Sequence, residues 1–122
     1  MHIYTSLVFH GDQLGRTIGF PTLNLDPTCL TTPIQPGVWH AQVTIKGGVY
    51  TGALYFGPRT IKNETKQVLE IYVLDFDQEV YGEQASFSLV SFVRPVIHFA
   101  SLAELQKQLA ADVLAIRHNP SV

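Results

Sequence analysis

At 122 residues, 46% hydrophobic and 15% charged, the chain has the composition of one globular domain, long enough to bury roughly two-thirds of its unfolded surface. Eight basic and ten acidic residues are scattered along it and leave a formal net charge of −2. That argues against a nucleic-acid or anionic-membrane surface, which wants clustered Lys and Arg. The single cysteine, Cys29, has no internal disulfide partner. The N-terminus lacks a leader pattern, and no apolar run approaches the ~18 residues of a membrane span. A reducing, cytoplasmic setting is expected.

In chain order, short strands are predicted at 2–9 and 22–25, flanking a glycine-rich segment. Residues 38–46 alternate, with Trp39, Ala41, Val43 and Ile45 on one face and His40, Gln42, Thr44 and Lys46 on the other. Gly47-Gly48 predicts a two-residue hairpin loop into a strand at 49–56. Segments 67–76 and 84–93, rich in β-branched and aromatic residues, are further strands, and Asp75 and Asp77 fall in a polar turn between them. The C-terminus changes period: Leu102, Leu105, Leu109, Val113 and Ile116 form one stripe of a helix over 102–117, with Ser101 and Glu104 as a capping box. Six strands and one helix predict a mainly-β fold, an antiparallel barrel with the helix packed on it as lid or buttress, in a single domain over 1–122.

Segment 11–24 reads GDQLGRTIGFPTLN. Gly11, Gly15 and Gly19 let a backbone approach a ligand and aim amides at phosphate oxygens, and Arg16 adds a cationic fork. The same glycines also suit an ordinary surface loop, and no Walker A pattern occurs in the chain. If the chain is extended after Pro21, Thr22 and Asn24 share one face; their oxygens suit Mg²⁺ completed by phosphate and water, or a capped turn. Glu70 stands between Val68 and Tyr72 on one face of an apolar strand. It is either a solvent-side residue or a carboxylate in the barrel mouth, where burial would raise its pKa and suit it to take a proton from a hydroxyl. Arg94 ends a strand at Pro95, as a ligand contact or a solvated strand end. The five histidines lack zinc-ligand spacing, and Cys29 has no flanking nucleophile signature.

Taken in order, these segments resemble the riboflavin kinase (flavokinase) family over about 8–117. The resemblance rests on G-x-x-x-G-R-x-x-G-F-P-T-x-N from Gly11 to Asn24, P-G-V-W from Pro36 to Trp39, and Gly52 and Gly57 after the hairpin. It continues through L-E-I-Y-V-L-D-F from Leu69 to Phe76, Tyr81-Gly82, V-R-P from Val93 to Pro95, and F-x-S-L-x-E-L-x-x-Q-L-x-x-D from Phe99 to Asp112. It implies a six-stranded antiparallel Greek-key barrel with a C-terminal helix, and a Mg²⁺-dependent enzyme moving the γ-phosphoryl group of ATP to riboflavin to give FMN. By the same resemblance, Gly11, Gly15, Arg16 and Gly19 cover the ATP phosphates, and Thr22 and Asn24 are ATP-binding and hold Mg²⁺. Tyr72 contacts the nucleotide, Glu70 is the catalytic base, and Phe87, Val90 and Arg94 contact the flavin ring.

The chain departs from the family pattern at Tyr55-Phe56-Gly57-Pro58-Arg59-Thr60, where proline has moved ahead of arginine. It also has Leu23 inside P-T-x-N, a residue expected to face away from the metal. The expected partners are riboflavin/FMN and ATP/ADP, with the chain acting as a monomer and with neither nucleic acid nor membrane. The adenylyltransferase domain common in bacterial relatives has no counterpart before Met1, so the reaction is expected to stop at FMN. The alternative from another class is a flavin-binding barrel without catalysis. The intact Thr22, Asn24 and Glu70 weigh against it, because a pure binder needs neither base nor metal pair.

Overall fold

The computed structural model describes residues 2–10, 14–59 and 66–118. Its strands are β1 (Tyr4–Leu7), β2 (Leu23–Leu25), β3 (Gly37–Ile45), β4 (Gly48–Pro58), β5 (Gln67–Val73) and β6 (Gln84–Arg94). All pair antiparallel in one sheet of order β1-β6-β3-β4-β5-β2. The run β6-β3-β4-β5 is a Greek key, the last strand of four returning beside the first. The sheet curls until its edges meet: Phe9, just past β1, bridges Asn24 of β2, and its N–H donates to the Asn24 carbonyl at 2.8 Å.

Alternation decides which side chains fill the barrel. Ala41, Val43 and Ile45 of β3, Leu54 of β4, Leu69, Ile71 and Val73 of β5, and Ala85 and Phe87 of β6 point inward, none more than 4% exposed. The β3–β4 loop is Lys46 and Gly47, one residue earlier than expected. Ile45 pairs with Gly48, and both loop residues take positive φ (50° and 79°), the backbone twist that matches paired strands. The strand expected at 67–76 stops at Val73, because Asp75 turns the chain at φ 58°. The segment expected as loop contains one helical turn, α1 (Leu14–Thr17).

Against β3, strand β6 shifts register twice, between Val38/Trp39 and His40/Ala41. These bulges bend the end of the sheet. His40, expected on the polar face, is only 4% exposed.

The second helix, α2 (Leu102–Arg117), begins as the sequence predicts. The Glu104 amide donates to Ser101 Oγ at 3.2 Å, and the Glu104 carboxylate accepts from the Ala100 amide at 2.9 Å. The barrel interior is already full, so α2 lies on the outer wall against β4 and β6. Leu102, first of the expected stripe, is 42% exposed, whereas Ile116 is buried.

Candidate active site

The alternation that fills the core also builds the site. With Leu69, Ile71 and Val73 turned inward, Glu70 and Tyr72 of β5 face outward. With Leu25 in the core and Leu23 packed against it, Thr22 and Asn24 face outward beside them. The register pairs Asn24 with Glu70 across β2–β5, and Tyr55 with Glu70 across β4–β5. Glu70 therefore stands neither in open solvent nor in the barrel mouth, but on the outer wall beneath α2. Leu105, Leu109 and Val113 of α2 roof this wall and leave a cleft lined also by Phe20, Ala53, Tyr55 and Tyr72. Its enclosed volume is about 110 Å³, and it opens to solvent at its mouth.

One end of the cleft is polar. Arg59 Nη2 donates to Glu70 Oε1 at 2.7 Å and to Asn24 Oδ1 at 3.5 Å, and Thr22 Oγ1 donates to the same Glu70 oxygen at 3.4 Å. The Arg59 and Glu70 side chains are 12% and 17% exposed. The ion pair fixes the Glu70 carboxylate in direction at this end of the cleft. The Tyr55 hydroxyl donates to the Pro58 carbonyl, fixing the turn from which Arg59 reaches. Burial pushes that hydroxyl up to about 12, with the Arg94 charge opposing the shift, so it remains a donor at neutral pH.

Among the described residues no cluster of three or more His, Cys, Asp or Glu stands ready to hold a metal. Thr22 and Asn24 still offer two neutral hard oxygens on one face, next to the Glu70 carboxylate. This donor set fits Mg²⁺ only when anionic phosphate oxygens complete it.

The remaining predicted residues divide. Tyr72 lines the cleft and meets Phe20 edge to face, ring centres 5.3 Å apart. Gly19 has φ +89°, a conformation glycine tolerates, with open space where a Cβ would stand. Gly15 lies in α1, Arg16 is exposed and does not line the cleft, and Gly11 lies outside the described residues.

Phe87 must be withdrawn as a flavin contact. It is 1% exposed, inside the barrel and stacked on Tyr4 at 5.3 Å, with the sheet between it and the cleft. Val90 falls at the β6 bulge beside His40/Ala41 and does not line the cleft. Arg94 does line it, but its guanidinium is bound to Asp112 of α2.

The sequence reading expected the helix as lid or buttress but gave no role to Arg59 or Asp112. Asp112 carried a signal, since it interrupts the apolar face three residues after Leu109 and four before Ile116. Arg59 carried none apart from its place after Gly57-Pro58, where the chain departs from the family pattern.

The fold and site define a class of architecture: an antiparallel barrel whose outer wall and C-terminal helix enclose a mainly apolar cleft, with a carboxylate, neutral oxygen donors and a guanidinium at one end. The sequence profile of the riboflavin kinase (flavokinase) family matches residues 2–119, and the chain belongs to that family. It is 37% identical over 107 residues to the bifunctional riboflavin kinase/FMN adenylyltransferase of Haemophilus influenzae, covering 87% of this chain and 34% of that protein. The Escherichia coli K12 counterpart is 38% identical over 111 residues, covering 90% and 35%. An RNA-binding riboflavin kinase of Bacillus subtilis is 32% identical over 117 residues, covering 95% and 50%. The chain thus spans about a third of the length of the bifunctional relatives.

Among solved structures, one described as a macrolide-efflux protein from Streptococcus pneumoniae superposes with a TM-score of 0.85 at 30% identity, over 97% of this chain and 39% of that one. Riboflavin kinase from Trypanosoma brucei superposes with a TM-score of 0.65 at 25% identity, over 95% and 77%.

Proposed function

We propose that this domain transfers the γ-phosphoryl group of ATP to the 5′-hydroxyl of riboflavin, giving FMN and ADP. The observation that carries the reading is the position of Glu70, a carboxylate in a mainly apolar cleft, beside Thr22 and Asn24. The cleft takes the planar ring against the apolar residues of α2, and the ribityl chain runs toward Glu70. Glu70 accepts the proton of the 5′-hydroxyl as its oxygen forms a bond to the γ-phosphorus and the bond to the β-phosphate oxygen breaks, releasing ADP. Phosphoryl transfer of this kind depends on alignment and charge placement more than on covalent work by the protein.

Thr22 and Asn24 would hold Mg²⁺ together with phosphate oxygens, and that ion supplies charge neutralisation when bound. Gly11, Gly15, Arg16 and Gly19 belong to the segment that covers the phosphates, and Tyr72 flanks the nucleotide. The domain works as a monomer in the cytoplasm without nucleic acid. Among the described residues no helix is long and apolar enough to cross a membrane.

The test is direct: riboflavin, Mg–ATP and protein are incubated and FMN is separated chromatographically, with CTP in a parallel reaction. Stoichiometric formation of FMN and ADP is expected. Tight riboflavin binding without FMN would leave a flavin-binding barrel and overturn the enzymatic reading.

A further inference from the structure

Arg94 and Asp112 are the least expected pair in the cleft, because an ion pair here stands among aromatic and aliphatic side chains. Arg94 Nε lies 2.9 and 3.1 Å from the two Asp112 carboxylate oxygens, and Nη2 lies 2.8 Å from Oδ2. Nη1 donates to the Pro95 carbonyl at 3.1 Å. All three guanidinium nitrogens are therefore engaged by the protein, and the group also sits over the Phe99 ring with 5.9 Å to its centre. Asp112 is 2% exposed and accepts a further bond from Gln108 Nε2 at 2.9 Å. Removing two charges from water is costly, and the cost is offset only when the geometry is good and the remaining lone pairs are satisfied. Both conditions hold here.

The pair joins the end of β6 to the middle of α2, and both residues line the cleft. Beside Asp112, Leu109 and Val113 are only partly buried and line the cleft, so the ion pair of buried Asp112 is the tie between α2 and the wall along that stretch. A bidentate guanidinium–carboxylate bond fixes direction as well as distance.

We propose that Arg94 and Asp112 are positioning residues: their buried pair holds α2 at the height that makes the cleft a slot for a flat, uncharged ring, and Arg94 itself does not bind the ligand. This rests on the riboflavin reading above. Arg94 and Asp112 direct their hydrogen bonds to each other, Pro95 and Gln108, so their loss is expected to act on the flavin more than on the nucleotide.

The experiment compares Asp112→Asn, Arg94→Met and the double variant Arg94→Met/Asp112→Leu. Asp112→Asn leaves a guanidinium buried without its counter-charge. The expected result is a riboflavin KM raised about 10- to 100-fold, as for small misplacements of a binding wall, with the Mg–ATP KM within about 2-fold of wild type. Arg94→Met alone strands the Asp112 carboxylate and gives a similar riboflavin defect. Buried ion pairs are often replaceable by apolar residues of similar volume; the double variant therefore folds even where a single variant does not, and recovers most of the riboflavin affinity. A double variant as defective as Arg94→Met would overturn the proposal and return Arg94 to direct ligand contact, as would equal losses in both KM values.

Hydrogen exchange on the unliganded protein keeps this test separate from the proposed reaction. Protection should fall in α2 of Asp112→Asn while β3–β6 keep theirs. Unchanged α2 protection would sink the clamp. Failure of the wild type to bind riboflavin would instead sink the substrate assignment and leave the clamp standing on the exchange result.

Discussion

Two arginine–carboxylate pairs line the same cleft, and their construction differs. Arg59 spreads its guanidinium between Glu70 at 2.7 Å and Asn24 at 3.5 Å, and Glu70 keeps 17% of its side chain accessible. Arg94 gives both Nε and Nη2 to Asp112, whose side chain is 2% exposed and takes a third donor from Gln108. The chemistry of the two contacts is the same, but the surroundings assign them different work. A carboxylate that water and substrate still reach can exchange a proton, whereas one enclosed by fixed donors can only hold two elements together. What separates a reactive group from a structural one here is access, and residue type says little about it.

The sharpest way to break this contrast is Glu70→Gln. It should lower kcat for FMN formation by roughly 10²- to 10⁴-fold, about 3–5 kcal/mol of barrier, while riboflavin binding measured by flavin fluorescence persists. Near-wild-type turnover would remove Glu70 from the chemistry. Next comes stability in urea. Arg94→Ala strands a buried carboxylate and should cost about 3–5 kcal/mol; Arg59→Ala should cost about 1–2 kcal/mol, because Glu70 keeps Thr22 and some water. Equal losses would erase the distinction between the pairs. Asn24→Ala, at the exchangeable end, should raise the Mg²⁺ concentration for half-maximal activity by roughly 10-fold, and an unchanged Mg²⁺ titration would dismiss the metal role.

The smallest effect concerns His40, which belongs to neither pair. It is 4% exposed, its Nδ1 has no hydrogen-bond partner among the described residues, and burial holds its pKa below the ordinary 6.5. A histidine depressed in the folded state binds its proton more readily when unfolded. Its contribution to stability is therefore complete above its unfolded value and is lost as pH falls through the lower folded one. His40→Leu should flatten the fall in Tm between about pH 7.5 and 5. Parallel curves for the two proteins would assign the acid sensitivity to other groups.

Period-2 alternation made the barrel wall legible in the sequence. It separated Leu69, Ile71 and Val73 from Glu70 and Tyr72 correctly, and it found the helix with its Ser101–Glu104 cap. Alternation names two faces of a strand but not what later covers each. Glu70 was accordingly weighed between solvent and barrel mouth, when a helix more than thirty residues downstream roofs it. The same blindness put Phe87 against the ligand. An aromatic residue on β6 reads alike on either side of the sheet, and only the closure that stacks it on Tyr4 shows it faces the core. Arg59 was illegible for another reason: its partners Asn24 and Glu70 lie 35 and 11 residues away, and no local pattern encodes the turn, capped by Tyr55, that brings them together.

Asn24 has one further property. Its carbonyl receives the Phe9 amide that joins the two edges of the sheet, while its side chain faces the polar end of the cleft. This seam is a single bridge, the shortest pairing in the barrel wall among the described residues and a natural place for local opening. A ligand that binds the shut form more tightly than an open one would favour the shut form in proportion to occupancy. If the substrate is held at Asn24, where the barrel is fastened, saturation with ligand would double as a latch on the fold.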